Sequence, residues 1–143
     1  MTDGASLRVT QVIRAAPAEV FQAWTDPTHL RAWFCPAWAT VVSATVDLRV
    51  GGRYRIVISR EGALHTATGV YREITPPRRL VFTWDWEEEG EAMGETVVTV
   101  ELRPHDAGTE VVLTHERLPE PRVPRHAQAW ASCLEHLASH LAP

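Results

Sequence analysis

Lysine is missing altogether: all fourteen basic residues are arginine. Without a lysine amine the chain cannot form a Schiff base with a carbonyl substrate or supply the cation of a phosphate-binding loop. Cysteine is nearly as scarce, with only Cys35 and Cys133, so a disulfide framework is excluded and the pair is expected as free thiols in a reducing compartment. No uninterrupted apolar run approaches the roughly 18 residues of a membrane-crossing helix, and positions 1–6 lack the charged-then-apolar order of a signal peptide. The expectation is a cytoplasmic protein with no membrane span. Positive charge is neither in excess nor clustered, the formal net charge being -4, which argues against nucleic acid because phosphate neutralisation needs a basic face.

The length of 143 residues suits one domain spanning residues 1–143, large enough to bury about two-thirds of its unfolded surface without disulfides or metal. Its most informative feature is order: a nearly unbroken run of strands followed by one amphipathic helix, Arg122 to Leu141. Trp130, Leu134, Leu137 and Leu141 form its apolar stripe, flanked by Ala127, Ala131 and Ala138, and that stripe has to be buried on a sheet. Leu7 to Arg14 alternates as a first strand. A short helix then begins near Ala16-Pro17-Ala18-Glu19, with Val20, Phe21 and Trp24 facing inward. Asp26-Pro27 ends it, Thr28 is placed to cap a second short helix, and Cys35-Pro36 ends that one. From Ala39 to Glu116 the period is two, giving about six strands in a meander separated by turn signals such as Gly51-Gly52 and Glu61-Gly62. The predicted class is α+β: a curved antiparallel sheet wrapped around a long C-terminal helix, with two short helices after the first strand.

Aromatic residues carry the functional signal. Trp33, Phe34, Trp38, Tyr54, Tyr71, Trp84, Trp86 and Trp130 are many bulky rings for one small chain, and on a curved inner face they define an aromatic-lined cavity with a few indole and phenol groups as polar handles. Phe21 and Trp24 are assigned to the core instead. The expected ligand site comprises Trp33, Phe34, Trp38, Tyr54, Tyr71, Trp84, Trp130 and Leu134, and its occupant is a hydrophobic or aromatic small molecule.

Other motifs resolve to structure. Asp47 to Tyr54 has the glycines of a phosphate loop but neither a lysine nor a following helix, so Gly51-Gly52 reads as a tight turn with Asp47 and Arg49 pairing locally. Cys133, His136 and His140 share helical spacing, but nothing elsewhere completes a four-ligand set, so neither metal nor cofactor is expected. His65 and His115 read as hydrogen-bonded framework residues before ligand contacts. No Ser-His-Asp or Cys-His order assembles a catalytic group, and the apolar neighbours of Cys35 raise its thiol pKa. The acidic cluster Asp85, Glu87, Glu88, Glu89 and Glu91 reads as a solvated loop. Val57, Val70, Val81, Val97 and Val112 lie out of phase with the inner residues, which predicts an apolar outer patch and a symmetric homodimer.

Several segments together resemble the activator of Hsp90 ATPase-like family of the helix-grip superfamily, which includes START lipid-binding domains and polyketide cyclases. They are Ala15 to Pro27, Leu30 to Trp33 with Pro36, Asp47 to Tyr54, Gly69 to Ile74 with Pro77, Arg79 to Trp84, Gly108 to His115, and Trp130 with Leu134 and Leu137. The resemblance runs in order from Leu7 to Leu141. It implies the helix-grip fold, and three roles follow by analogy: a ligand-binding module, a partner that stimulates a chaperone ATPase, or a cyclase-like enzyme. Binding without bond-making is the first expectation. Where the family usually has Trp-Trp-Gly-Pro this chain has Trp33-Phe34-Cys35-Pro36, and Ala129 stands where a glycine usually precedes the helix tryptophan. Ligand preference is therefore not carried over from relatives.

Overall fold

The computed structural model describes residues 4–88, 90 and 92–143. Strand β1 (Ala5–Ile13) leads into helices α1 (Pro17–Thr25) and α2 (Pro27–Trp33). Six strands follow: β2 (Ala39–Val46), β3 (Arg53–Arg60), β4 (Ala63–Thr75), β5 (Arg79–Trp86), β6 (Thr96–His105) and β7 (Gly108–Leu118). A 3-10 turn over Glu120–Arg122 then feeds α3 (Val123–His140). Pairing is antiparallel throughout, in the order β1-β7-β6-β5-β4-β3-β2. The meander from β2 to β7 is thus extended by β1, whose chain crosses from one sheet edge to the other through α1 and α2. Helix α3 packs on β1, and α2 packs on both β2 and α3. This is the helix-grip arrangement, an open sheet curved around one long helix.

Local chemistry explains the elements. Pro17 occupies the first turn of α1, where its missing N–H costs nothing, and Glu19 lies in the same turn. Asp26, not Thr28, caps α2: its carboxylate accepts from the Thr28 backbone N–H at 2.8 Å, because the side chain preceding Pro27 reaches two residues ahead. In α3, Trp130, Leu134 and Leu137 are 4% exposed or less, as the spacing predicts, while Leu141 falls just past the helix as its half-buried C-cap. His29 Nδ1 and His140 Nε2 lie 2.8 Å apart, one donating and the other accepting, and join α2 to the end of α3.

Two glycines fix the sheet's shape. Gly51 sits at φ 85° in the β2–β3 turn, and a Cβ on Gly52 would meet the Asp47 carbonyl oxygen at 2.1 Å, so the pair is a turn device. Arg49 Nε donates to Asp47 Oδ2 at 2.8 Å beside it. Gly69 on β4 lies opposite Tyr54 on β3. With no side chain there, the Tyr54 ring crosses β4 and its hydroxyl donates to the Thr83 carbonyl on β5 at 2.5 Å.

The outer face differs from the expected apolar patch. Val57, Val97 and Val112 are 9% exposed or less in the single chain, and Val70 and Val81 are half-buried. Around them runs a lattice of partly exposed ion pairs: Glu73–Arg79, Arg79–Glu101 and Glu101–Arg103, with Arg72–Glu95 further along. Small valines between long charged side chains lose contact with water, because arginine stems lie along apolar surface while their heads stay wet. The premise of a dimer through this face therefore fails. The large apolar residues that are exposed lie elsewhere, and include Val42, Leu48, Val50 and Leu64.

The acidic cluster is also more than a solvated loop. Asp85 Oδ1 accepts from the Trp86 and Met93 backbone N–H groups at 2.8 and 2.7 Å, closing the β5–β6 loop, and Glu88 accepts from Thr66 N–H at 2.7 Å. Glu89 and Glu91 lie outside the described residues.

Candidate functional site

The inner face continues past the core toward one end of the sheet. On β3 the inward phase runs Tyr54, Ile56, Ile58 and Arg60; on β4 it runs Tyr71, Gly69, Ala67 and His65; on β5 it runs Phe82, Trp84 and Trp86. Over this end lie the segment Phe34 to Trp38 and one side of the 3-10 turn and α3: Arg122, Arg125, His126, Ala129, Trp130 and Cys133. Those positions recur at intervals of three and four, so they share one helix face, rotated roughly a quarter turn from the leucine stripe. Between the two surfaces remains a cavity of about 260 Å³.

Of the expected site residues, Phe34, Trp38, Trp84 and Trp130 line this cavity. Trp33, Tyr54, Tyr71 and Leu134 do not. Trp33 is fully buried and its indole N–H donates to the Ala23 carbonyl at 2.9 Å, which locks α2 onto α1. Tyr54 and Tyr71 face, with Phe34 and Phe82, a separate void of about 10 Å³, room for one water at most. Burial, first among the causes, holds both phenol pKa values above the ordinary 10, so both remain protonated. Leu134 is fully buried in the core cluster.

The cavity walls are rings in contact. Trp84 meets Trp130 at 5.2 Å between centroids, Phe34 meets Trp130 at 5.7 Å and Trp84 at 5.8 Å, and Trp86 meets Trp84 at 5.5 Å, mostly edge to face as ring quadrupoles prefer. Trp38 is 47% exposed and stands at the mouth. The Trp84 indole nitrogen is buried without a hydrogen-bond acceptor among the described residues. Ala37 N–H donates to Ser132 Oγ at 2.9 Å, tying the Phe34–Trp38 segment to α3.

Behind the wall a directional relay fixes Trp130. Its Nε1–H donates to His115 Nδ1 at 3.0 Å, which requires the neutral ring to carry its proton on Nε2. That nitrogen lies 2.8 Å from Thr96 Oγ1, and the Thr96 hydroxyl donates onward to the Trp84 carbonyl at 2.5 Å. Burial, then the neighbouring His126, push the His115 pKa from 6.5 down to about 3. His115 is thus a fully engaged framework residue beneath the cavity, and it orients two of its walls.

Sequence reasoning missed the polar part of the lining: Arg60, His65, Arg122, Arg125 and His126. The signal was present in phase, since Arg60 and His65 continue the inner faces of β3 and β4, and Arg122, Arg125 and His126 share a helix face with Trp130. Cys35 and Cys133 also line the cavity. Both are buried free thiols with raised pKa, burial being the first cause, so neither is an activated nucleophile. Cys133 therefore faces the cavity, while His140 is engaged with His29, and among the described residues no group of three or more His, Cys, Asp or Glu side chains converges as metal ligands would. No helix among the described residues is long and apolar enough to cross a membrane.

Solved structures share this architecture over nearly their whole length. A protein of Chromobacterium violaceum is 27% identical with a TM-score of 0.84, covering 96% of this chain and 97% of its own. The AHSA1 protein of Silicibacter pomeroyi is 29% identical with a TM-score of 0.83, covering 96% and 98%. A protein of Rhodobacter sphaeroides is 28% identical with a TM-score of 0.83, covering 97% and 94%. No curated protein matches. The family model described as activator of Hsp90 ATPase homolog 1-like protein matches residues 14–142, and the chain belongs to that family.

Proposed function

We propose that this protein binds a hydrophobic or aromatic small molecule in the cavity between α3, the far end of the sheet and the Phe34–Trp38 segment, without making or breaking bonds. The observation that carries this reading is contrast within one core. Around Tyr54 and Tyr71 the aromatic side chains close to a void of about 10 Å³, whereas around Trp84 and Trp130 about 260 Å³ stays open. Interiors ordinarily pack without such gaps, and a void of roughly 150 Å³ already takes a benzene ring. A ligand of one or two rings fits the volume.

The binding test is a panel of mono- and bicyclic aromatic molecules, read by melting temperature and tryptophan emission. A true ligand raises the melting temperature as its concentration rises through Kd. Native mass spectrometry of protein purified without stripping gives the co-purified mass. If no ring compound stabilises the protein and no extra mass travels with it, the cavity reading is wrong.

A protein partner is the second reading, supported by a different surface. Among the described residues β2 ends the sheet with a strand partner on one side only, and exposed Val42, Leu48 and Val50 lie on it and on the turn that follows. An unpaired, apolar strand edge accepts an added strand, either from a second copy of the chain or from a chaperone of the kind named in the family description. Loss of complex formation in Val42→Lys, with ligand binding kept, would assign the partner to this edge.

A further inference from the structure

The chain has two cysteines in 143 residues, and both line the same cavity. Cys35 belongs to the Phe34–Trp38 segment and Cys133 to α3, the two pieces that together cover the far end of the sheet. Those pieces meet beside the thiols: Ala37, two residues after Cys35, donates its N–H to the hydroxyl of Ser132, the residue before Cys133, at 2.9 Å. The thiols are 6% and 5% exposed and are not joined in a disulfide. Cys35 Sγ donates to the Ala39 carbonyl at 3.2 Å. Burial, and after it the neighbouring Cys35 thiol, raise the Cys133 pKa, and burial raises that of Cys35, so both sulfurs rest protonated on a wall they share with Phe34, Trp84 and Trp130.

We propose that Cys35 and Cys133 together bind a soft, thiophilic divalent cation, held two-coordinate between their sulfurs at the cavity wall. The surroundings select the class of ion. Zinc in a structural site takes four ligands, and among the described residues no group of three or more ligating side chains converges. Calcium and magnesium require shells of oxygen donors. A soft ion of the mercuric kind prefers thiolate sulfur and is satisfied by two. Charge is costly in an apolar wall, and such an ion removes it: one proton leaves each thiol, two metal–sulfur bonds form, and the complex is neutral, with both protons released to solvent. No electron changes hands. The site stands apart from ring binding, because it needs both sulfurs and no ring.

Mercuric chloride is the probe, added at one equivalent to the reduced full chain and followed by native mass spectrometry and light scattering. The expected product is one ion per chain, its mass that of the protein plus the metal less two protons, with the oligomeric state unchanged and both thiols closed to a thiol reagent. Glutathione titrated back should strip the ion from Cys35→Ser and from Cys133→Ser at concentrations about ten-fold or more lower than from the parent, because in the parent the second sulfur acts within the same chain. Ions that each displace a single proton, one ion bridging two chains, or an equal glutathione requirement in parent and variants would overturn the shared site.

Discussion

Replacing His115 with leucine separates a structural histidine from a catalytic one through the pH dependence of stability. In the parent, His115 accepts from Trp130 Nε1 and pairs with Thr96 Oγ1. His115→Leu leaves the indole N–H as a buried donor without an acceptor, a loss of about 2 kcal/mol near pH 7.5. Acid changes the comparison. The folded pKa lies near 3 against 6.5 in the unfolded chain, so below 6.5 the unfolded state binds a proton that the folded state refuses. The stability this histidine contributes is complete above pH 6.5 and falls by about 1.4 kcal/mol per pH unit as pH drops toward 3. By about pH 5 the parent has lost roughly 2 kcal/mol through this group alone, and the leucine variant has lost none of it. Urea denaturation followed by far-ultraviolet circular dichroism at both pH values should show a gap of about 2 kcal/mol shrinking to near zero, with equal m-values. Other titrating groups cancel in the difference. A gap that is the same at both pH values, or ring resonances of His115 titrating near 6.5, would refute the relay.

Three further outcomes are expected. Trp130→Ala should cost about 3 to 5 kcal/mol as a large-to-small core change, read as a lowered urea midpoint; melting within a degree or two of the parent would contradict the helix placement. Gly69→Ala places a Cβ 1.9 Å from the Thr83 carbonyl oxygen and should destabilise by about 3 kcal/mol or more, because strand backbones have to separate; expression at parental levels with an unchanged denaturation curve would contradict it. Trp38→Ala should leave the melting temperature within about two degrees, since surface changes are nearly neutral, and weaken naphthalene-type ligands several-fold in calorimetry.

The fold was legible because its signals are periodic. The period of two from Ala39 onward and the helical spacing of Trp130, Leu134 and Leu137 each dictate one buried face, and only a sheet wrapped on a helix satisfies both. The site was half legible. Phe34, Trp38, Trp84 and Trp130 were named because large rings mark cavities, but Trp33, Tyr54 and Tyr71 are equally large and fill core. What separates them is three-dimensional: Gly69 lets Tyr54 reach across a strand, and the Ala23 carbonyl takes the Trp33 N–H. Composition cannot show either. Arg60, Arg122 and Arg125 each read in the sequence as a solvated strand or helix residue; that they line one cavity appears only once β3 and α3 converge. The outer valines misled for the complementary reason, since flanking ion pairs shield them.

The six tryptophans supply six indole N–H reporters distributed between cavity and core, which allows occupancy to be located directly. In a proton–nitrogen correlation spectrum titrated with a ring compound of the panel that raises the melting temperature, the indole signals of Trp38, Trp84 and Trp130 should shift together and saturate with one Kd. Those of Trp24 and Trp33, packed against one another at 4.7 Å on the α1–α2 side, should scarcely move. Shifts confined to Trp24 and Trp33, or no shift at ligand concentrations well above those that raise the melting temperature, would contradict binding in this cavity.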